Sequence, residues 1–223
     1  APCLDVRSGT RRRQEAMRAR LFGPSQGDVW TQLADAVDGD FTDGGFFRPD
    51  VVHAKVGEWT VTLDTYTTGG EAQAAGGGAQ RTFTRMRAPY LNSDGFGFAV
   101  CRAGLFTPLG RLLGAQDIEV GDAQFDRDFV IKGNDEAKVR ALFPNDRIRN
   151  LIRAQRSIRF EVKDDEGWFR QKFPDGVDEL YFSAAGIIKD LSRLRLLFDL
   201  CAETLNQLCH IDSAYEDDPE LIL

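Results

Sequence analysis

The spacing of apolar and polar residues changes along this chain, and each spacing predicts a different kind of element. From Asp28 to Val37 apolar residues fall on one helical face, which predicts a helix stopped by Gly39. From Trp59 onward apolar and polar residues alternate, which is typical of half-buried strands. The same alternation predicts further strands at 81–87, 96–102, 158–162, 167–173 and 179–183.

The middle of the chain mixes both periods within short distances. Phe125, Phe129 and Ile131 indicate another strand, and a helix capped by Asn134 or Asp135 is expected to follow it. A second helix is predicted at 146–155, and a short apolar helix at 105–114. Because helices and strands mix without a regular βαβ order, the predicted class is α+β. We expect an antiparallel β-meander packed against helices.

The last predicted element is a long amphipathic helix near the C-terminus. Its apolar residues recur at alternating spacings of four and three, the pattern of a coiled-coil seam. The simpler interpretation is that this helix covers the sheet, with Ile188, Leu197 and Leu200 widening its apolar stripe. The alternative is a homodimer seam made of Ile187, Leu191, Leu194, Phe198, Cys201, Leu205 and Leu208.

Charge divides the chain into three predicted regions. Residues 1–27 form a basic N-terminal helix and linker, 28–211 a single α+β domain, and 212–223 an acidic tail. The tail is expected to pair with the Arg-rich N-terminus of the same or a neighbouring chain. The net charge of −7 argues against a protein whose whole surface follows nucleic acid, so no nucleic-acid partner is expected.

Several classes of site are not expected from the sequence. The four cysteines form no disulfide framework, and Cys201 and Cys209 fit an apolar helix face better than a metal site with His210. The Gly-rich stretch 69–80 has no Lys-Ser or Lys-Thr, so it fits a hairpin tip and not a phosphate loop. We therefore expect no metal and no cofactor. No apolar run reaches the ~18 residues that a membrane span needs. Because the cysteines form no disulfide framework, a protein of the reducing cytoplasm is expected, with a peripheral membrane location as the alternative.

Three segments carry a resemblance to a family. They are Leu63–Gly69 (LDTYTTG), Leu113–Glu119 (LGAQDIE) and Gly133–Phe143 (GNDEAKVRALF). In these segments the chain resembles an uncharacterised bacterial family that carries a domain of unknown function, over roughly 52–162. The resemblance implies a bacterial α+β domain but no catalytic residues. Many members of that family look membrane-anchored through a transmembrane hairpin, which this sequence does not contain.

Candidate functional residues are few. Gln116 and Asp117 form a polar pair between an apolar helix and a strand, although hydrogen bonds within a turn would also explain them. Paired carboxylates can catalyse without histidine, which makes Asp64, Tyr66 and Asp117 weak catalytic candidates. Asp126 and Asp128 are predicted to share a strand face, where solvated surface acids are the simpler interpretation.

A basic row is the remaining candidate. Arg149, Arg153 and Arg156 are spaced to line one helical face, which could bind anionic lipid headgroups or an acidic protein. A solvated polar face explains the same spacing more simply.

Three functional hypotheses follow from the sequence. The favoured one is a non-catalytic binding or assembly module with a protein partner or a second copy of the chain. The second is an enzyme with a carboxylate site near Asp64 and Asp117. The third is a peripheral membrane domain that uses the Arg row.

Overall fold

An eight-stranded antiparallel sheet organises the part of the chain that the structure describes. The computed structural model describes residues 23–45, 48–68, 80–104, 116–164 and 173–221. In these residues the strands are β1 (Asp40–Thr42), β2 (Val51–Val56), β3 (Trp59–Thr68), β4 (Arg81–Leu91), β5 (Phe98–Arg102), β6 (Phe129–Gly133), β7 (Arg159–Lys163) and β8 (Val177–Ala185). The helices are α1 (Gln26–Ala36), α2 (Ala123–Asp128), α3 (Glu136–Leu142), α4 (Asp146–Arg153) and α5 (Leu191–His210).

The strand order combines a meander with a rearranged second half. The sheet runs β1-β2-β3-β4-β8-β7-β5-β6, and each neighbouring pair of strands is antiparallel. The predicted α+β class is confirmed, and β1 to β4 form the expected meander. The second half departs from sequence order, because β8 lies between β4 and β7. The last strand therefore joins the two halves of the sheet.

The long C-terminal helix α5 covers one face of this sheet. Five residues of the predicted seam are buried in the core: Leu194, Phe198, Cys201, Leu205 and Leu208. Leu191 is half-buried, whereas Ile187 precedes the helix and is 40% exposed. The indole Nε1 of Trp30 on α1 donates to the backbone oxygen of Ile188, 3.1 Å away, which ties α1 to the entrance of α5. The seam thus packs within one chain.

One prediction is wrong in the region before β6. Phe125, Asp126 and Asp128 lie in helix α2, not on a strand, so the two acids do not share a strand face. The reason is the cap: the side chain of Asp122 accepts hydrogen bonds from the backbone N–H groups of Gln124 and Phe125 and starts a helical turn there. The two helices predicted after Asn134 or Asp135 and at 146–155 are confirmed as α3 and α4. Helix α4 ends slightly earlier than predicted, at Arg153.

Asp122 is also linked to α4 by charge. Arg153 Nη2 lies 2.5 Å and Arg149 Nε 3.2 Å from Asp122 Oδ2. The backbone hydrogen bond from Phe125 and the hydrogen bond from Arg153 lower the pKa of Asp122 from 3.8 to about 2. One carboxylate therefore joins α2 and α4.

We expect Asp122→Asn to unfold at a lower urea concentration than the wild type at pH 7. A carboxylate with a lowered pKa stabilises the folded state above its unfolded pKa and loses this contribution as pH falls through the folded value. The difference between variant and wild type should shrink as pH falls from about 4 to about 2. Urea unfolding at several pH values measures it, with Asp35→Asn on the exposed face of α1 as control. A pH-independent difference would contradict this account.

The acidic tail packs against the sheet in the described part of the chain. Ser213 and Ala214 are buried, and Ala214 pairs with Asn92 in an isolated bridge. Asp218 accepts from Lys55 Nζ at 2.5 Å and from the Thr60 hydroxyl at 2.8 Å. In the described residues the tail thus contacts β2, β3 and the end of β4. The predicted N-terminal helix, the Gly-rich tip, the helix at 105–114 and most of the strand at 167–173 lie outside the described residues.

Candidate functional site

The sheet face opposite α5 carries a group of charged side chains, here called the polar face cluster. Cross-strand register places its members on one side: Asp64 faces Arg85, Arg87 faces Tyr181, and Lys163 faces Glu179. Four strands contribute to it, namely β3, β4, β7 and β8. The charged members are Asp64, Arg85, Arg87, Arg159, Glu161, Lys163 and Glu179.

One half of the cluster is built around Asp64. Arg85 binds this carboxylate in a bidentate manner, with Nε 2.8 Å from Oδ1 and Nη2 2.6 Å from Oδ2. Arg87 Nη2 adds a third contact to Oδ2 at 3.0 Å. All three residues are buried. Forked guanidinium–carboxylate contacts of this kind fix orientation as well as charge.

The other half is built around Glu161 on β7. Arg159 Nε lies 2.8 Å and Lys163 Nζ 3.8 Å from the same atom, Glu161 Oε1. Lys163 Nζ also lies 3.0 Å from the centre of the Tyr181 ring, a cation–π contact. Burial lowers the pKa of Lys163 to about 8, against the opposing effects of Glu179 and Glu161. Burial likewise raises the pKa of Tyr181, and a hydrogen bond between its hydroxyl and that of Tyr66 adds to this.

A cavity of about 320 Å³ lies on this face. It is at the lower end of the size range of ligand pockets, roughly 300–1,000 Å³. Two tyrosines, three cations, one carboxylate and two threonines line it: Tyr66, Tyr181, Arg85, Arg159, Lys163, Glu179, Thr67 and Thr68. The cavity therefore offers aromatic surface and charge together.

The structure separates the carboxylates that the sequence suggested as a catalytic group. Asp64 and Tyr66 lie on β3 and belong to the cavity region, but Asp117 lies at the far end of the sheet. There its side chain is 66% exposed and lies 3.4 Å from Lys132 on β6. Gln116 is exposed as well. Asp64 and Asp117 therefore do not form one site.

The predicted Arg row is largely occupied by partners. Arg149 contacts Asp122, Asp146 and the backbone oxygen of Phe143. Arg153 contacts Asp122 and stacks over the Phe125 ring at 5.3 Å. Arg156 is exposed but lies beyond the end of α4, so the three residues do not share one helical face.

The described residues contain no group of three or more His, Cys, Asp and Glu side chains that could hold a metal ion. Cys201 is buried, with Sγ 3.3 Å from Met86 Sδ, and burial raises the pKa of its thiol to about 12. No helix of the described ranges is both long and apolar enough to cross a membrane.

The fold and cavity define an α+β protein with a charged, partly concave sheet face. Comparison of the chain with protein-family models, with curated proteins and with solved structures yields no match. The resemblance to an uncharacterised bacterial family stays a prediction.

The sequence reasoning missed most of the cavity. Of its lining residues only Tyr66 is a candidate functional residue of the sequence, and Thr67 and Thr68 enter only through the segment that carries the resemblance. A signal was present on β7, where charged side chains at Arg159, Glu161 and Lys163 alternate with apolar ones. That pattern predicts a polar face but does not show that the face is buried.

Proposed function

We propose that this chain is a non-catalytic binding module and that its ligand site is the cavity on the polar face cluster. The observation that carries the proposal is the charge gathered there: seven charged side chains from four strands share one sheet face, and four of them line the cavity, namely Arg85, Arg159, Lys163 and Glu179. Strongly charged, partly buried clefts are more frequent at functional sites than elsewhere.

The cost of burying these charges supports a role other than stability. Removing paired charges from water costs several kcal/mol per ion, and well-packed apolar residues of similar volume often stabilise a protein at least as well. Asp64, Glu161 and Glu179 are nevertheless buried on this face. If this sheet face served only to stabilise the protein, Val or Ile at these three positions would stabilise it more.

Binding suits the geometry better than carboxylate catalysis. A general base needs a lone pair that can take a proton from substrate. The oxygens of Asp64 accept three hydrogen bonds from Arg85 and Arg87, which fix the orientation of the carboxylate and occupy its lone pairs. Its supposed partner Asp117 contacts Lys132 at the other end of the sheet. Asp64 therefore fits the role of a residue that positions Arg85, which lines the cavity.

The cavity also favours a small molecule over the other partners considered. A concave site of about 320 Å³ matches a small ligand, whereas stable protein interfaces are flatter and bury about 1,200–2,000 Å². A second copy of the chain would need a surface other than the buried seam of α5. Docking on anionic lipid through the Arg row would compete with Asp122 for Arg149 and Arg153.

We expect the purified protein to enrich one class of small molecule from an extract of its source organism. Equilibrium dialysis followed by mass spectrometry of the retained compounds measures this. Thr68→Trp places an indole at the exposed rim of the cavity without removing a charge, so enrichment should fall by about tenfold or more. Thr42→Trp, at an exposed position on β1, is the matched control and should behave as the wild type.

Two results would contradict the proposal. One is that the wild-type chain retains no compound above the level of dialysis buffer. The other is that Thr68→Trp retains the same compounds as the wild type, which would place the ligand elsewhere.

A further inference from the structure

The solvent-facing part of the polar face cluster is cationic. The side chains of Arg159 and Lys163 are each 26% exposed, whereas that of Glu161, which they share, is 4% exposed. Asp64 is 6% exposed at its side chain, and Glu179 is fully buried. A ligand that enters the cavity therefore meets positive charge first, with the carboxylates beneath it.

The net charge of the whole polar face cluster is positive as well. Among its seven charged side chains four cations stand against three carboxylates, an excess of one positive charge. The cavity lining itself is also cationic, with three cations and one carboxylate. A ligand with one negative charge would neutralise this excess, whereas a cation would double it. The geometry also suits a carboxylate, because Glu161 Oε1 lies 2.8 Å from Arg159 Nε but 3.8 Å from Lys163 Nζ. The ammonium group of Lys163 is therefore beyond hydrogen-bond distance of this oxygen and can donate to a second carboxylate.

We propose, resting on the proposed function, that the cavity selects small molecules with a single carboxylate, held at Arg159 and Lys163. Tyr66 and Tyr181 line the same cavity and offer ring surface to the rest of the ligand. An aromatic monocarboxylate is therefore the simplest probe of this site.

Lys163 makes this selection dependent on pH. The charged and titratable groups that face it lie on β7, β8 and β4: Arg159, Glu161, Glu179, Tyr181 and Arg85. Burial lowers the pKa of Lys163 to about 8, so the protonated head and the excess positive charge are present below that value. Affinity for a carboxylate should fall as pH rises through about 8.

The test uses three ligands of nearly equal shape but different charge: benzoate, benzamide and benzamidine. Binding is followed by the backbone amide NMR shifts of the full chain. We expect saturable shifts with benzoate near β7 and β8, and affinity for neutral benzamide lower by about tenfold or more. Benzamidine, which is cationic, should bind more weakly still.

Substitutions of Lys163 separate the effect of its charge on binding from any effect on folding. Lys163→Gln should weaken benzoate binding by about tenfold while keeping the Arg159–Glu161 pair. Lys163→Arg should keep the binding but remove its decline near pH 8, because an arginine stays charged there. Lys55→Gln, which removes an exposed cation from β2, is the control and should leave benzoate binding unchanged.

The outcomes distinguish this inference from the proposed function. Absence of benzoate binding, or binding of benzamide or benzamidine as tight as that of benzoate, overturns the selection of a carboxylate. If the dialysis experiment still enriches a neutral or cationic compound that Thr68→Trp excludes, the binding module stands and only its ligand class is wrong.

Discussion

Replacing Asp64 with alanine is expected to lower the free energy of unfolding by about 3–5 kcal/mol. The substitution removes the carboxylate that Arg85 and Arg87 bind at 2.6–3.0 Å and leaves both guanidinium groups buried without it. A buried charge that loses a counter-charge at this distance keeps the cost of desolvation and loses much of the compensating attraction. Urea unfolding followed by circular dichroism measures the change.

Two further variants give this prediction its controls. Asp40→Ala removes an exposed carboxylate from β1 and should change the free energy of unfolding by less than about 0.5 kcal/mol. The triple variant Asp64→Leu, Arg85→Met and Arg87→Leu removes the whole charged group and should recover much of the lost stability. If Asp64→Ala stays within about 1 kcal/mol of the wild type, the group is hydrated and the argument from buried charge fails.

Replacing Phe98 with alanine is expected to cost about 3–5 kcal/mol, for a different reason. Phe98 on β5 is fully buried in the core. Its ring meets those of Phe143 and Phe160 edge-on, with centroids 5.8 and 5.7 Å away. Alanine would leave a cavity between β5, β7 and the end of α3, and both ring contacts would be lost.

A graded series checks this prediction. Phe98→Leu keeps most of the volume and should cost clearly less than the alanine variant, about 1.5 kcal/mol or less. Tyr215→Ala removes an aromatic side chain that is 58% exposed and should cost less than about 0.5 kcal/mol. An equal loss of unfolding free energy in Phe98→Ala and Phe98→Leu would show that the Phe98 ring does not fill a closed space in the core.

The elements of the fold could be predicted from the sequence where one side of an element faces the core. Alternation in β3 and β7 and the apolar stripe of α5 reflect such burial, and these elements lie where the pattern predicts them. Helix α2 was missed because it is short and begins at the side chain of Asp122, which local spacing does not reveal. The position of β8 between β4 and β7 could not be predicted, since register between distant strands leaves no periodic signal.

The candidate site was harder to predict for the same reason. Asp64, Arg85 and Glu179 lie far apart along the chain and meet only through strand order. Each strand looked like an ordinary half-buried strand whose charged side faces water. The sequence pointed to Asp64 and Tyr66 but paired them with Asp117, which the sheet holds at its opposite end.

Native mass spectrometry of the wild-type protein and of Thr68→Trp, each purified from the source organism, tests the binding module most directly. The wild type is expected to carry the added mass of one small molecule, which leaves on denaturation, and Thr68→Trp is expected to lack it. A wild-type spectrum with only the mass of the chain, or an equal added mass on both proteins, would contradict a ligand site in this cavity.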